Sequence, residues 1–192
     1  TIDGPINEKT TFIASVRQSY LQFLFKLIKL PFLPTYNDFQ FKVKHELSST
    51  SEISIIGLGA IDNFKLNTTV NNNITDEDIL KRNNYILGNI PIQKQWNYTI
   101  GAVYKHFSEN SMRQVVLSRN EWENNAKKYF NNTNNASDLL LKYSSKEVEN
   151  KLRFENLQTT NNNYKINIGF GLENTEYSNA TFQKIANSNG IS

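Results

Sequence analysis

The chain has 192 residues, a formal charge of +3, no cysteine, and 38% hydrophobic against 20% charged residues, with a mean hydropathy of -0.55. These values exclude a helical membrane protein: the most apolar run, Leu21 to Leu33, is broken by Lys26, Lys29 and Pro31 and falls short of the ~18 residues a spanning helix needs. They also exclude a disulfide framework, a thiolate metal site and a thiol nucleophile, and the evenly spread cations form no nucleic-acid stripe.

The opening residues, Thr1-Ile2-Asp3-Gly4-Pro5, have no initiator Met, basic region or apolar core of a signal peptide, and read as an interior stretch of a longer polypeptide. Period-two alternation then marks seven strands. The first, Thr10 to Gln22, sets Phe12, Ala14 and Val16 against Ser15, Arg17 and Ser19. The second places Phe39, Phe41, Val43, His45 and Leu47 opposite Gln40, Lys42, Lys44 and Glu46. In the third, Glu52 to Ile61, the residues Ile53, Ile55, Ile56 and Leu58 fit either phase. The fourth sets Trp96, Tyr98, Ile100, Ala102, Tyr104 and His106 against Gln95, Asn97, Thr99, Gly101, Val103 and Lys105. Arg113 to Asn120 and Val148 to Leu157 follow, the latter with Lys151 and Arg153 on its polar side. The last sets Tyr164, Ile166, Ile168, Phe170 and Leu172 against Lys165, Asn167, Gly169, Gly171 and Glu173.

Connections alternate in length. Short ones are expected at Ser48 to Ser51, Ser108 to Ser111 and Thr159 to Asn163, and long ones at Phe23 to Asp38, Asp62 to Lys94 and Glu121 to Lys146. Every long loop then falls at one end of the sheet, the asymmetry of transmembrane β-barrels. Inside the second long loop, Thr75-Asp76-Glu77-Asp78 predicts a helix start with Thr75 as N-cap; the oxygen spacing of a calcium loop is missing.

The aromatics fall near strand ends. Trp96 and Tyr104 are eight residues apart, roughly 26 Å along a strand. At a tilt of about 40° this projects to ~20 Å, close to the ~25 Å apolar band of an outer-membrane barrel. His45 and His106 occupy matching positions before short turns, as interfacial anchors do, and no converging carboxylates mark either as a general base. Gly57-Leu58-Gly59 and Gly169-Phe170-Gly171 lack the third glycine of a dinucleotide fingerprint and read as sites of close packing or strand curvature. No cofactor, metal site or catalytic group is expected.

Several stretches resemble one family. Gly4-Pro5-Ile6 with Thr10-Thr11-Phe12, Ser15, Arg17, Ser19 and Tyr20 looks like the opening of a barrel hairpin in TonB-dependent outer-membrane receptors. The closest subgroup carries an N-terminal carboxypeptidase-regulatory-like domain. Leu30 to Phe39, Gly57 to Leu66, Gln95-Trp96-Asn97-Tyr98 with Gly101, and Val116 to Asn120 are similar to the same subgroup. The resemblance implies an all-β, partial antiparallel transmembrane barrel, about seven strands of a roughly 22-stranded wall. Residues 1–192 would be a barrel fragment lacking the plug, the TonB-contacting segment and the C-terminal strand. It implies import of a siderophore, cobalamin, glycan or peptide with energy from the inner-membrane proton gradient.

On that reading Phe39, Phe41, Val43, His45, Trp96, Tyr98, Tyr104, His106, Tyr164, Ile166, Ile168 and Phe170 face lipid or its interface. Arg17, Lys42, Lys44, Lys105, Arg153 and Asn167 face the lumen and are the candidates for ligand or plug contacts. The expected partners are outer-membrane lipid, the TonB complex through the plug, and a surface lipoprotein lid over the apolar loop Leu24 to Leu33; no nucleic acid is expected. Two other classes compete: a secreted β-sandwich that binds glycan or mediates adhesion through its long loops, and a barrel phospholipase, which needs a Ser/His pair on the outer face.

Overall fold

The computed structural model describes residues 1–160, 164–187 and 190–191. Eight strands form one antiparallel sheet in next-neighbour order. They are β1 (Ile2–Asn7), β2 (Thr10–Gln18), β3 (Phe32–Ser48), β4 (Ser51–Leu66), β5 (Ile92–Ser108), β6 (Ser111–Tyr129), β7 (Leu139–Thr159) and β8 (Lys165–Gln183). A separate two-stranded pairing joins β9 (Ala186–Asn187) to β10 (Gly190–Ile191). The fold is therefore all-β, as alternation predicts, with eight strands in the main sheet rather than seven.

The additional strand is β1. Its Gly4-Pro5 hides the alternation, and Pro5, which has no N–H to give a ladder, is tolerated because β1 has a neighbour on one side only. Alternation of connection length holds: tight turns at 8–9, 49–50 and 109–110 lie at one end, and 19–31, 67–91 and 130–138 at the other. The turn expected at Thr159 to Asn163 is closed by the Thr160 N–H donating to the Tyr164 carbonyl at 2.8 Å; Asn161 to Asn163 lie outside the described residues.

The long connections are shorter than the sequence predicts because the strands run past their apolar segments. Phe23 to Asp38 is not one loop: it holds most of helix α1 (Leu21–Leu27) and the first turns of β3. Glu121 to Lys146 is mostly strand, with β6 continuing to Tyr129 and β7 starting at Leu139. Asp62 to Lys94 contains the end of β4 and helix α2 (Glu77–Asn89). The α2 N-cap is Asp76 rather than Thr75: its carboxylate accepts from the amides of Asp78 at 3.0 Å and Ile79 at 3.1 Å, while Glu77 and Asp78 favour the positive end of the helix.

Among the described residues no helix is long and apolar enough to cross a membrane. Few apolar side chains are buried among the described residues, Val70, Leu87, Ala126 and Pro31 among them. A sheet of this size with so small a core leaves both faces largely uncovered, except where the helix-bearing connections pack. The second packed sheet that a β-sandwich requires is not found among the described residues.

Candidate functional site

Register settles which side chains share a face, because directly paired residues project to the same side of a sheet. The row Val16, Phe39, Gly59, Tyr98 is apolar, as is the row Phe12, Val43, Ile55, Ala102, Leu117, Leu152, Leu172. The same side carries Phe41, His45, Trp96, Tyr104, His106, Ile166, Ile168 and Phe170. Tyr164 immediately precedes β8. This aromatic face is exposed: Leu117 is 59% and Phe170 58% accessible.

The ambiguous phase of β4 is resolved here. Ile53, Ile55 and Ile61 join the aromatic face together with Gly57 and Gly59, and Ile56 and Leu58 take the other side. The glycines are sites of close packing. A Cβ on Gly57 would overlap the ring of Phe41, and one on Gly59 the ring of Phe39.

The opposite face is ionic, and Arg17, Lys42, Lys44, Lys105, Arg153 and Asn167 all lie on it. Lys44 meets Glu52 at 2.8 Å and Lys105 approaches the same carboxylate at 3.8 Å. Arg17 pairs with Asp38 at 2.8 Å, Lys151 with Glu149 at 3.0 Å, and Arg153 with Glu155, which also accepts from Gln114. Most of the cations proposed for ligand contact are thus neutralised by cross-strand or same-strand partners. This face is a polar mosaic rather than an anion trap.

At the outer margin of the apolar band lies a network the sequence does not reveal, because half of it falls in the stretch expected as loop. The buried Glu121 carboxylate accepts from the Tyr98 hydroxyl at 3.1 Å, from Arg119 at 3.1 Å and from Lys146 at 2.6 Å. Arg119 also donates to Asn150 at 3.2 Å, and Trp96 stacks on Tyr98 with centroids 6.0 Å apart. At the inner margin each histidine shares a hydrogen bond with a hydroxyl across the strand: His45 Nδ1 with Thr10 at 2.8 Å, and His106 Nδ1 with Ser51 at 2.9 Å. No carboxylate hydrogen-bonds either imidazole among the described residues, so the Ser51–His106 pair lacks the orienting third group of a hydrolase. No cluster of three or more metal-ligating side chains occurs among them either.

The outer end of the ionic face is covered by the helices. Phe25 of α1 meets Phe32 edge-on at 5.6 Å, and Phe32 stacks on Phe64 at 5.4 Å. Lys128 fastens α2: its ammonium donates to the carbonyls of Leu87 and, at 3.3 Å, Ile90, and to Asn132 Oδ1 at 2.9 Å. Neither a protein-family model nor a curated protein matches this chain.

Proposed function

We propose that this chain is part of the wall of a TonB-dependent outer-membrane transporter, with the aromatic face against lipid and the ionic face toward the lumen. The observation that carries the reading is the slant of the apolar band. On β3 it spans Phe39 to Val43, and on β8 Ile166 to Leu172. Followed through the paired rows, its centre descends by about two and a half rows over the five intervals between these strands. At roughly 6.7 Å per row and ~4.8 Å between strands, that is about 17 Å over ~24 Å, an inclination of roughly 35°. Strands of membrane barrels tilt by about 35–45°, so a band level with the bilayer crosses the hydrogen-bonded rows at that angle. A sandwich core carries no such requirement.

Further support comes from the gathering of tight turns at one end and helix-bearing connections at the other, from paired charges on one face, and from the near absence of a buried core. Two unpaired edges, β1 and β8, would be satisfied by the remaining strands of a closed wall. The plug, the TonB contact and most of the ligand site then belong to other parts of the polypeptide. The imported ligand is a siderophore, cobalamin, glycan or peptide. The exposed apolar residues Phe23, Leu24, Leu27 and Ile28 of the α1 connection lie at the outer mouth, where a surface lipoprotein lid would cover them.

Cell fractionation of the intact protein tests the reading. Recovery in outer membranes, with solubility only in detergent, is the expected result. Recovery as a soluble monomer would overturn it and leave the secreted glycan-binding module in its place.

A further inference from the structure

Beyond the Glu123–Lys146 pair, the aromatic face becomes cationic, keeping Ile92 opposite Lys127 and Phe182 opposite Lys142. Its strand positions there on β4 to β8 carry Lys65, Lys94, Lys127 and Lys142 and no carboxylate. None of the four forms an ion pair within 4 Å among the described residues, in contrast to the paired cations of the ionic face. Lys127 and Lys142 are directly opposed across β6 and β7, and Lys94 lies one diagonal away, beside the Ile92–Lys127 pair. Like charges in direct opposition destabilise a sheet, so the arrangement calls for a ligand that offsets the repulsion.

Lys94, Lys127 and Lys142 line a concavity. A cavity of about 350 Å³ is lined by Ile92, Lys94, Asn125, Lys127, Tyr129, Asn134 and Lys142. Asn125 turns its amide inward to Glu123 at 2.7 Å. The other polar residues of the lining are the three lysines, Tyr129 and Asn134. Three lysines lining one concavity whose lining holds no carboxylate suit a compact, multiply charged oxyanion, because lysine recognises phosphate by charge and needs no planar match.

We propose that this outward cavity binds phosphate groups, with Lys127 and Lys142 as the principal contacts, Lys94 as the third, and Lys65 extending the belt. The site is built from β5, β6, β7 and the β6–β7 connection that carries Asn134; binding of a free phosphate there does not depend on the transporter reading, whereas a glycolipid source rests on it. Its phosphate comes either from the headgroup of a phosphorylated glycolipid anchored beside the wall or from a free phosphorylated solute.

Titration of the intact protein in detergent at low salt, first with inorganic pyrophosphate and then with a bisphosphorylated glycolipid in the same micelles, tests the site. The Lys127→Gln/Lys142→Gln variant is expected to lose at least tenfold in affinity for pyrophosphate, and native binding to weaken steeply as salt is raised. The same variant without ligand should melt no lower than the native protein, since it removes a repulsion; this separates loss of a site from loss of fold. Lys81→Gln, on α2, serves as the control and leaves binding unchanged. Tighter binding of the glycolipid than of pyrophosphate supports the site with a membrane source, and the reverse order supports it with a soluble one. Absence of binding by both probes, or equal affinity in native protein and the double variant, would overturn the proposal.

Discussion

The ring of Phe41 occupies the space that a Cβ on Gly57, its direct partner across β3 and β4, would fill. Phe39 stands in the same relation to Gly59 one row further out. Together the two pairs mark which side of β4 is aromatic and hold two rings close to the backbone of the sheet.

Gly57→Ala should therefore cost about 1 kcal/mol, the lower end of the overpacking range, since the half-exposed Phe41 ring is able to swing aside at some expense. In the Phe41→Leu background the same change should be close to neutral. A double-mutant cycle from unfolding midpoints in detergent measures the coupling; additive effects would show that the ring and the glycine are energetically independent.

Leu117 lies within the apolar band and is more than half exposed. In a bilayer, Leu117→Arg should destabilise the wall by about 2–4 kcal/mol, the cost of a cation near the midplane. Refolding yields into lipid vesicles against urea report it. A loss below 0.5 kcal/mol, by the same order-of-magnitude scale, would place this face in water.

Removing the anchor of α2 should act locally. Lys128→Met leaves the carbonyls of Leu87 and Ile90 without their ammonium donor, a local cost of roughly 1–3 kcal/mol. Faster amide exchange and proteolysis at Glu77–Asn89 are expected, with protection in the rows of β4 to β6 unchanged. Slowed or unaltered exchange in α2 would mean that its other bonds, Asn132 donating to the Leu87 carbonyl at 3.1 Å and Asn83 donating to Asn71 at 2.9 Å among them, hold the helix without Lys128.

The connection between β6 and β7 should respond to acid. Thr133 donates to Asp138 at 2.7 Å, and that hydrogen bond holds the Asp138 pKa below the ordinary aspartate range. A group depressed on folding contributes stability that is complete above its unfolded value, about 3.9, and is lost as pH falls through the folded value. Amide exchange at 133–138, corrected for intrinsic rates, should accelerate below pH ~4 in the native protein and show no such step in Asp138→Asn. A step retained in the variant would assign the transition to another carboxyl.

The lengths of the strands show why part of this fold is hidden in the sequence. Alternation is visible only where one face is apolar. From Phe39 to Leu47 the contrast with Gln40, Lys42 and Lys44 is plain, but from Glu121 to Lys128 one face is wholly polar and the other carries only Trp122 and Ala126 among polar residues, so period two leaves little hydropathic trace. The strand continues regardless, because its backbone groups are satisfied by the ladder to β5 and β7 rather than by burial. The Glu121 network and the lysine cavity both fall in such segments.

By itself the sequence determined the all-β class, the seven apolar-faced strand segments, the end at which the turns are tight, and the sharing of faces within each strand, since all of these follow from local periodicity. Only the tertiary structure decided the register, and through it the phase of Ile53 to Ile61, the seating of Phe39 and Phe41 on glycines, the pairing of Lys44, Lys105 and Arg153 with carboxylates, and the isolation of Lys94, Lys127 and Lys142. The reason is physical: a side chain's partner across a sheet is set by hydrogen bonds between distant segments, and no local pattern encodes which residues those bonds will bring together.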